Sequence, residues 1–355
     1  MLHFIEKFSN LKLPFLTTLQ ICLDLGTTNT RIAIKDKGVV LQEPTYLGLN
    51  KKVHEYIFFG QEAKRIVGKV PEFIKIVKPV VNGIISEFDA QVALIQNFIQ
   101  KGVAPYMVNY PFIKPPLDAI VAVPSIATEI EQKAVEEVLL KLGVRKVFLI
   151  ERPLATAMGC GFNIFMHKPV FVVDLGGGLI EMAVISGGGI VMQKTLRTAG
   201  DHMNKLIYNY IHLKHGLILG EATCEELKVR LLNFTNEEKT MMVRGKSLEN
   251  GLPKSVKIRT SDIKEALLSQ LNLIIDTVKE IIELSPPEVV DEIFNRGIVL
   301  TGGLSNISGI DAFFTEELKN IKVSLAENRD LTTISGLMRI GRRKDLLQRL
   351  KIQLP

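Results

Sequence analysis

Only three cysteines, Cys22, Cys160 and Cys224, occur in 355 residues. They are widely spaced, odd in number and without a CxxC partner, which argues against a disulfide framework and against structural zinc. No run of 18 or more apolar residues occurs, so no membrane-spanning helix is expected. The N-terminus lacks an apolar core followed by an A-x-A cleavage site, so no secretion signal is read there. GxxxxGKS/T, strand–GxGxxG–helix, HExxH and GxSxG are all missing, which sets aside P-loop, dinucleotide-binding, zincin and serine-hydrolase chemistry. The histidines His54, His202, His212 and His215 show no ligand spacing. These absences describe a cytosolic chain, free to touch a membrane from inside.

What is present is ordinary for a globular protein, with 46% hydrophobic and 23% charged residues. The length suits about two domains at roughly 150 residues each. The formal net charge of +6 favours anionic partners, be they nucleic acid, membrane or nucleotide, without choosing among them.

An internal repeat sets the architecture. Ile21–Gly26 and Val172–Gly176 are both apolar β-rich runs that end in Asp-Leu-Gly. A second strand follows each, at Arg31–Lys35 and Glu181–Ile185, then a glycine turn at Asp36-Lys37-Gly38 and Gly187-Gly188-Gly189. The spacing from Asp24 to Gly38 equals that from Asp174 to Gly188. Further strands are read at Ala119–Val123 and Gly297–Leu300. Helices are read at Glu87–Gln100, 128–142, Asp201–Lys214, Glu221–Leu232, Ser261–Leu284 and 308–318, the fifth stopping at Ser285-Pro286-Pro287. Hairpins alternating with strand–helix units predict an α/β fold with mixed sheets and flanking helices in two related halves.

Glycine lets backbone N–H groups approach phosphate oxygens closely, and such turns form anion-binding nests. Gly26, Thr27, Thr28 and Asn29 add hydroxyl and amide donors, whereas Gly176, Gly177 and Gly178 supply bare backbone. Two such loops can clasp a triphosphate. Asp24 and Asp174 at the strand ends are candidates for holding Mg²⁺, which binds through one or two carboxylates plus phosphate oxygens. An Asp that merely caps a turn is the competing reading; the pair favours the metal.

At these loops the sequence resembles the actin, DnaK-chaperone and sugar-kinase superfamily and, within it, MreB, the bacterial actin. The resemblance runs over about residues 20–335. It includes Leu23–Thr30, Gly38–Pro44, Val123-Pro124-Ser125, Ile150–Ala155, Val173–Gly178 with Glu181–Ser186, Ala199-Gly200-Asp201, Gly220-Glu221, Gly251-Leu252-Pro253 and Arg296–Gly303. It implies an actin-like fold around a nucleotide cleft, with larger subdomains at 17–47 with 80–160 and 331–355, and at 161–198 with 263–330. Smaller subdomains would span 48–79 and 199–262, and residues 1–16 would be an N-terminal extension. It also implies ATP or ADP with Mg²⁺, ATPase activity, and self-association into paired, antiparallel protofilaments on the inner face of the cytoplasmic membrane in support of cell shape. Paralogous filament proteins are further implied partners, and no nucleic acid is expected.

Carried over by position, Asp24 with Gly26–Asn29, and Asp174 with Gly176–Gly178, are the phosphate loops. Glu225 and Lys228 flank the nucleoside, Gly302 and Gly303 lie beside the adenine and phosphates, and Glu131 orients the attacking water. Asp174 is also a catalytic candidate. Thr128-x-x-Glu131 reads equally as a capping box. Two departures stand out. Leu179-Ile180-Glu181 replaces the family's Thr-Thr-Glu, which predicts slow hydrolysis. Gly200-Asp201-His202-Met203-Asn204 has two carboxylates fewer than the family's Gly-Asp-Glu-Met-Asp.

Three segments are candidates for lipid contact: the apolar stripe of residues 1–13, the Val103–Ile113 loop, and the basic stretch Arg339–Lys351. Packing against the domain, a subunit contact and a solvated basic face are the respective alternatives. A non-catalytic nucleotide-binding scaffold is the rival function; a small-molecule kinase lacks the expected substrate insertion.

Overall fold

The computed structural model describes residues 18–107, 115–319 and 321–353. They divide into two compact units. The first holds the described residues up to Ile66, then Val70–Ala155 and the stretch from Ile334 onward; the second holds Val67–Lys69 and Thr156–Thr333.

In the first unit, β1 (Leu19–Leu25), β2 (Asn29–Ile34) and β3 (Gly38–Pro44) form an antiparallel meander. A three-stranded sheet follows from β4 (Leu47–Asn50), β5 (Glu55–Phe59) and, after helix α1 (Gln61–Arg65), β6 (Ile74–Val77). A small hairpin of β7 (Val80–Val81) and β8 (Ile84–Ile85) precedes α2 (Phe88–Gly102). Then come β9 (Leu117–Val123), α3 (Glu129–Lys141), β10 (Val144–Glu151) and α4 (Arg152–Gly159), in which the chain passes into the second unit. The main sheet has the order β10-β9-β1-β2-β3, with β1, β9 and β10 parallel. Parallel strands buried on both faces read as continuous apolar runs, and Ile21, Cys22 and Leu23 are all at most 1% exposed. Helix α2 covers the sheet with Ala90, Leu94, Ile95 and Phe98, spaced on one helical face. Leu94, Ile95 and Phe98 each contribute about 1.5–3 kcal/mol by this burial.

The second unit repeats the plan. It runs β11 (Val170–Leu175), β12 (Ile180–Ser186), β13 (Gly189–Leu196), α5 (Gly200–His215), β14 (Leu217–Ile218) and α6 (Glu221–Leu231). Next are the hairpin β15 (Thr240–Ser247) and β16 (Pro253–Arg259), helices α7 (Thr260–Leu284) and α8 (Pro287–Arg296), then β17 (Ile298–Thr301), α9 (Ile310–Glu317) and β18 (Val323–Leu325). Its main sheet, β13-β12-β11-β17-β18, matches the first one read from β3 to β10, again with three parallel strands after an antiparallel meander. The turn glycines at the repeat offset, Gly38 and Gly188, share a φ of +86°. Helix α7 buries Ile263, Leu267, Leu271, Ile274, Val278 and Ile281 along one stripe. The two prolines that end it also begin α8, since Pro287 occupies the first turn, where no N–H is needed. Helices α10 (Thr332–Arg342) and α11 (Lys344–Leu350) return the chain to the first unit.

None of the three cysteines is in a disulfide. Burial pushes the Cys22 thiol up to about 12 against the pull of Lys35, and the Cys224 thiol up to about 11. Such thiols stay protonated and inert at neutral pH. Among the described residues no helix is long and apolar enough to cross a membrane.

Candidate nucleotide-binding loops

In an open α/β sheet, ligands bind beyond the carboxyl ends of the strands. In the first unit, three parallel strands end together: β1 at Asp24–Leu25, β9 at Val123 and β10 at Glu151. Past β1 the chain turns so tightly that the Gly26 N–H donates to the Asn29 carbonyl at 3.2 Å. A Cβ on Gly26 would stand 2.6 Å from that oxygen, so only glycine fits. The turn is braced from outside. Thr45 Oγ1 donates to the Gly26 carbonyl at 2.7 Å, the Thr45 N–H donates to the Thr28 carbonyl at 3.0 Å, and the Gly83 N–H donates to Thr27 Oγ1 at 2.9 Å. Thr27 thus keeps its own hydroxyl proton for another partner. The Thr28 hydroxyl oxygen is buried and makes no hydrogen bond.

Asp24, only 3% exposed, is held by two guanidiniums. Arg31 Nη1 lies 3.2 Å from Oδ2 and Arg152 Nη1 lies 3.2 Å from Oδ1. Arg31 stands directly across the hairpin from Asp24. Neither arginine was singled out from the sequence, although the hairpin symmetry that pairs Leu25 with Thr30 would have found Arg31. Burial also raises the carboxyl of the neighbouring Glu151 above its ordinary value.

Glu131 sits in the first turn of α3 as half of a capping box. Its Oε2 accepts from the Thr128 N–H at 2.7 Å while Thr128 Oγ1 accepts from the Glu131 N–H at 3.3 Å. Capping occupies one carboxylate oxygen, and the other can still accept a hydrogen bond.

The second unit reproduces the turn. The Gly176 N–H donates to the Leu179 carbonyl at 3.0 Å, and a Cβ on Gly176 would again lie 2.6 Å from that oxygen. Helix α5 is docked on this loop: the Gly200 and Asp201 N–H groups donate to the Gly176 and Gly177 carbonyls at 3.3 and 2.8 Å. Gly200 leaves room for Gly177, Leu304 and the Lys228 ammonium, each within 3.4 Å of where a Cβ would stand. Lys228, 4% exposed, donates to the Gly200 carbonyl at 2.8 Å and pairs with Glu225 Oε2 at 2.7 Å. Asn204 donates to the same Glu225 oxygen at 2.6 Å, an amide where a carboxylate would repel. Gly302, with φ +85°, follows β17; a Cβ there would fall on the Asp174 carboxylate and 2.6 Å from the Leu175 carbonyl oxygen. The fold therefore gathers Asp174, Gly176, Gly177, Gly178, Gly200, Glu225, Lys228, Gly302 and Gly303 at one end of the second sheet. The Leu179 side chain is 7% exposed, an apolar group at the turn's last corner.

No group of three His, Cys, Asp or Glu among the described residues could hold a metal by itself. Asp174, partly exposed at a strand end, fits a shared role with phosphate oxygens. Asp24 does not fit as a direct ligand, because each of its oxygens already faces a guanidinium.

The candidate lipid contacts fall differently. Residues 1–13 and 108–113 lie outside the described residues. Of the Val103–Ile113 segment, Val103 is fully buried, and Ala104–Met107 form a 3-10 turn with Tyr106 exposed. In the C-terminal stretch Ile340, Leu346, Leu347 and Leu350 are all buried, between 0 and 6% exposed. Its apolar half is therefore core, and Arg339, Arg342, Arg343, Lys344 and Arg349 face outward together with Asp345 and Gln348, Asp345 pairing with Arg343 at 2.6 Å.

Two meander-plus-parallel sheets, each bearing a glycine turn after its first strand, define an actin-like fold. Spiroplasma citri MreB5 bound to ADP has this fold, with a TM-score of 0.85 and 30% identity over 92% of this chain and 97% of that one. The MamK double helical filament shares the fold at a TM-score of 0.77, with 19% identity over 92% and 99%. A model of the MreB/Mbl protein family matches residues 18–349, and the chain belongs to that family. Cell shape-determining protein Mbl of Bacillus subtilis (strain 168) is 36% identical over 310 residues, 87% of this chain and 91% of its own. Cell shape-determining protein MreB of Escherichia coli (strain K12) is 34% identical over 314 residues, 87% and 89% respectively.

Proposed function

We propose that this protein binds ATP with Mg²⁺, assembles with itself into paired, antiparallel protofilaments at the inner face of the cytoplasmic membrane, and supports cell shape while hydrolysing ATP slowly. The observation that carries the reading is the matched pair of glycine turns, each closed by the same N–H···O bond and each impossible with a Cβ. Spiroplasma citri MreB5, similar over most of both chains, has been solved with ADP and with AMPPNP. Two relatives carry cell-shape names.

In this reading the backbone of Gly26–Asn29 and of Gly176–Gly178 donates to phosphate oxygens, joined by the Thr27 and Thr28 hydroxyls. Glu225, propped by Lys228 and Asn204, borders the nucleoside, and Gly302 and Gly303 let the adenine and phosphates approach. Glu131 orients the attacking water with its second oxygen, a positioning role typical of phosphoryl transfer. Asp174 would hold Mg²⁺, which shields the phosphate charge. Membrane contact falls to the Val103–Ile113 loop and the N-terminal stripe, with the exposed C-terminal arginines adding attraction of about 1 kcal/mol each to an anionic surface. Paralogous filament proteins are further partners.

Leu179 favours a second reading, a nucleotide-binding scaffold without turnover, since an apolar side chain stands where a hydroxyl would meet the attacking water. Negative-stain microscopy with ATP, ADP and no nucleotide tests assembly; absence of filaments in all three states rejects the leading reading. Phosphate release from wild type and Glu131→Ala separates the two. Slow release that falls at least about tenfold in the variant supports the ATPase, and equal background rates support the scaffold.

A further inference from the structure

The chemistry around the first turn is that of a site with donors to spare. Both Asp24 oxygens face guanidiniums at 3.2 Å, in a pocket where the carboxylate is 4% exposed and both arginine side chains are 12% exposed. A Mg²⁺ ion demands oxygens at about 2.0–2.1 Å in near-octahedral order. At Asp24 it would have to displace one fixed cation and settle beside the other. Arg31 Nε and the Thr28 hydroxyl are buried with no hydrogen-bond partner, and so is Asp24 Oδ1, which Arg152 meets as an ion pair without hydrogen-bond geometry. The Arg31 Nε–H can only donate, so this buried group calls for an anionic acceptor and not for a metal. The second turn differs: across its hairpin Asp174 faces Glu181 rather than an arginine.

We propose that Asp24 is the anchor of an arginine pair and not a metal ligand, and that Arg31 and Arg152 compensate the phosphate charge at this turn. Nucleoside diphosphate then binds with little dependence on Mg²⁺, and the metal matters for the hydrolytic step at Asp174. The inference rests on the nucleotide-binding reading above and assigns the charge chemistry of one of its loops. Guanidinium–phosphate bonds are charge-assisted and strong enough for the task.

The test is calorimetric titration of the full chain with ADP, once in excess Mg²⁺ and once in EDTA. The expected result is a dissociation constant that changes by less than about fivefold between the two. A loss of about tenfold or more in EDTA overturns the proposal. Arg31→Met should weaken binding in EDTA by about tenfold or more, and Arg31→Lys should restore part of it, because charge rather than shape is being supplied. An Arg31→Met variant with native near-UV circular dichroism that binds as wild type in EDTA also overturns it. If neither arginine variant folds, the wild-type comparison alone decides. Wild type that binds no ADP even in Mg²⁺ refutes the nucleotide reading itself, a result distinct from loss in EDTA alone.

Discussion

Asp24 and Asp174 end equivalent strands before equivalent glycine turns, yet Asp24 faces Arg31 across its hairpin while Asp174 faces Glu181. The backbone of the two turns is the same to within the geometry that matters: one N–H···O closure, one carbonyl 2.6 Å from a missing Cβ. The side chains around them diverge. The first is rich in cations and hydroxyls; the second is rich in carboxylate and bare backbone and ends in Leu179. The repeated backbone therefore makes the two turns alike, and the side chains around them make them different. In the proposed reading, one half grips phosphate charge and the other places a metal.

The backbone half of that comparison can be broken directly. Gly26→Ala and Gly176→Ala each force a carbonyl to move, and each should cost about 1–3 kcal/mol in urea-melt stability. Costs differing by more than about 1 kcal/mol would show that the turns are not equivalent supports. The side-chain half is sharpened by Leu179→Thr, which returns a hydroxyl to the second turn. Phosphate release should rise about tenfold or more, and a rate matching wild type would remove Leu179 from the proposed account of slow hydrolysis.

The smallest effect concerns the second unit alone, where Lys214 on α5 bridges to α7. It donates to Asp262 at 2.9 Å and to Glu265 at 3.2 Å, with Tyr210 bonded to both Lys214 and Glu265. Burial pushes the Asp262 carboxyl up, but the Lys214 bond and the Arg259 N–H outweigh it and hold it below its ordinary 3.8. The Tyr210 and Lys214 bonds hold Glu265 below its ordinary 4.5. Carboxyls depressed in the folded state stabilise it above their ordinary values and cease to do so as pH falls through the folded ones. Protection factors of the α5 and α7 amides, with the intrinsic acid slowing of exchange divided out, should therefore fall below about pH 4.5, modestly because Asp262 is buried but Lys214 and Glu265 are exposed. Lys214→Met should flatten that acid response and leave the first unit's peptides unchanged.

Much of this was legible in the chain. The repeated Asp-Leu-Gly turns, the paired strands beyond them and helices such as Ser261–Leu284 follow from apolar period, glycine and proline, all of which act locally. The capping box at Thr128–Glu131 was readable for the same reason. Local signals did not show that Pro286-Pro287 would start a new helix as well as end one. Nor did they show that Ile340, Leu346, Leu347 and Leu350 lie buried rather than facing lipid. An apolar stripe announces that something covers it, not what.

The sequence by itself determined the two glycine turns, because a close carbonyl admits no Cβ whatever surrounds it. Which charges meet at those turns was decided only by the tertiary structure. Arg152 reaches Asp24 from 128 positions away because β10 runs parallel to β9, and β9 to β1, bringing three strand ends together. Lys228 reaches Gly200 because α6 packs on α5. Such pairings depend on sheet order and helix docking, which no spacing along the chain records.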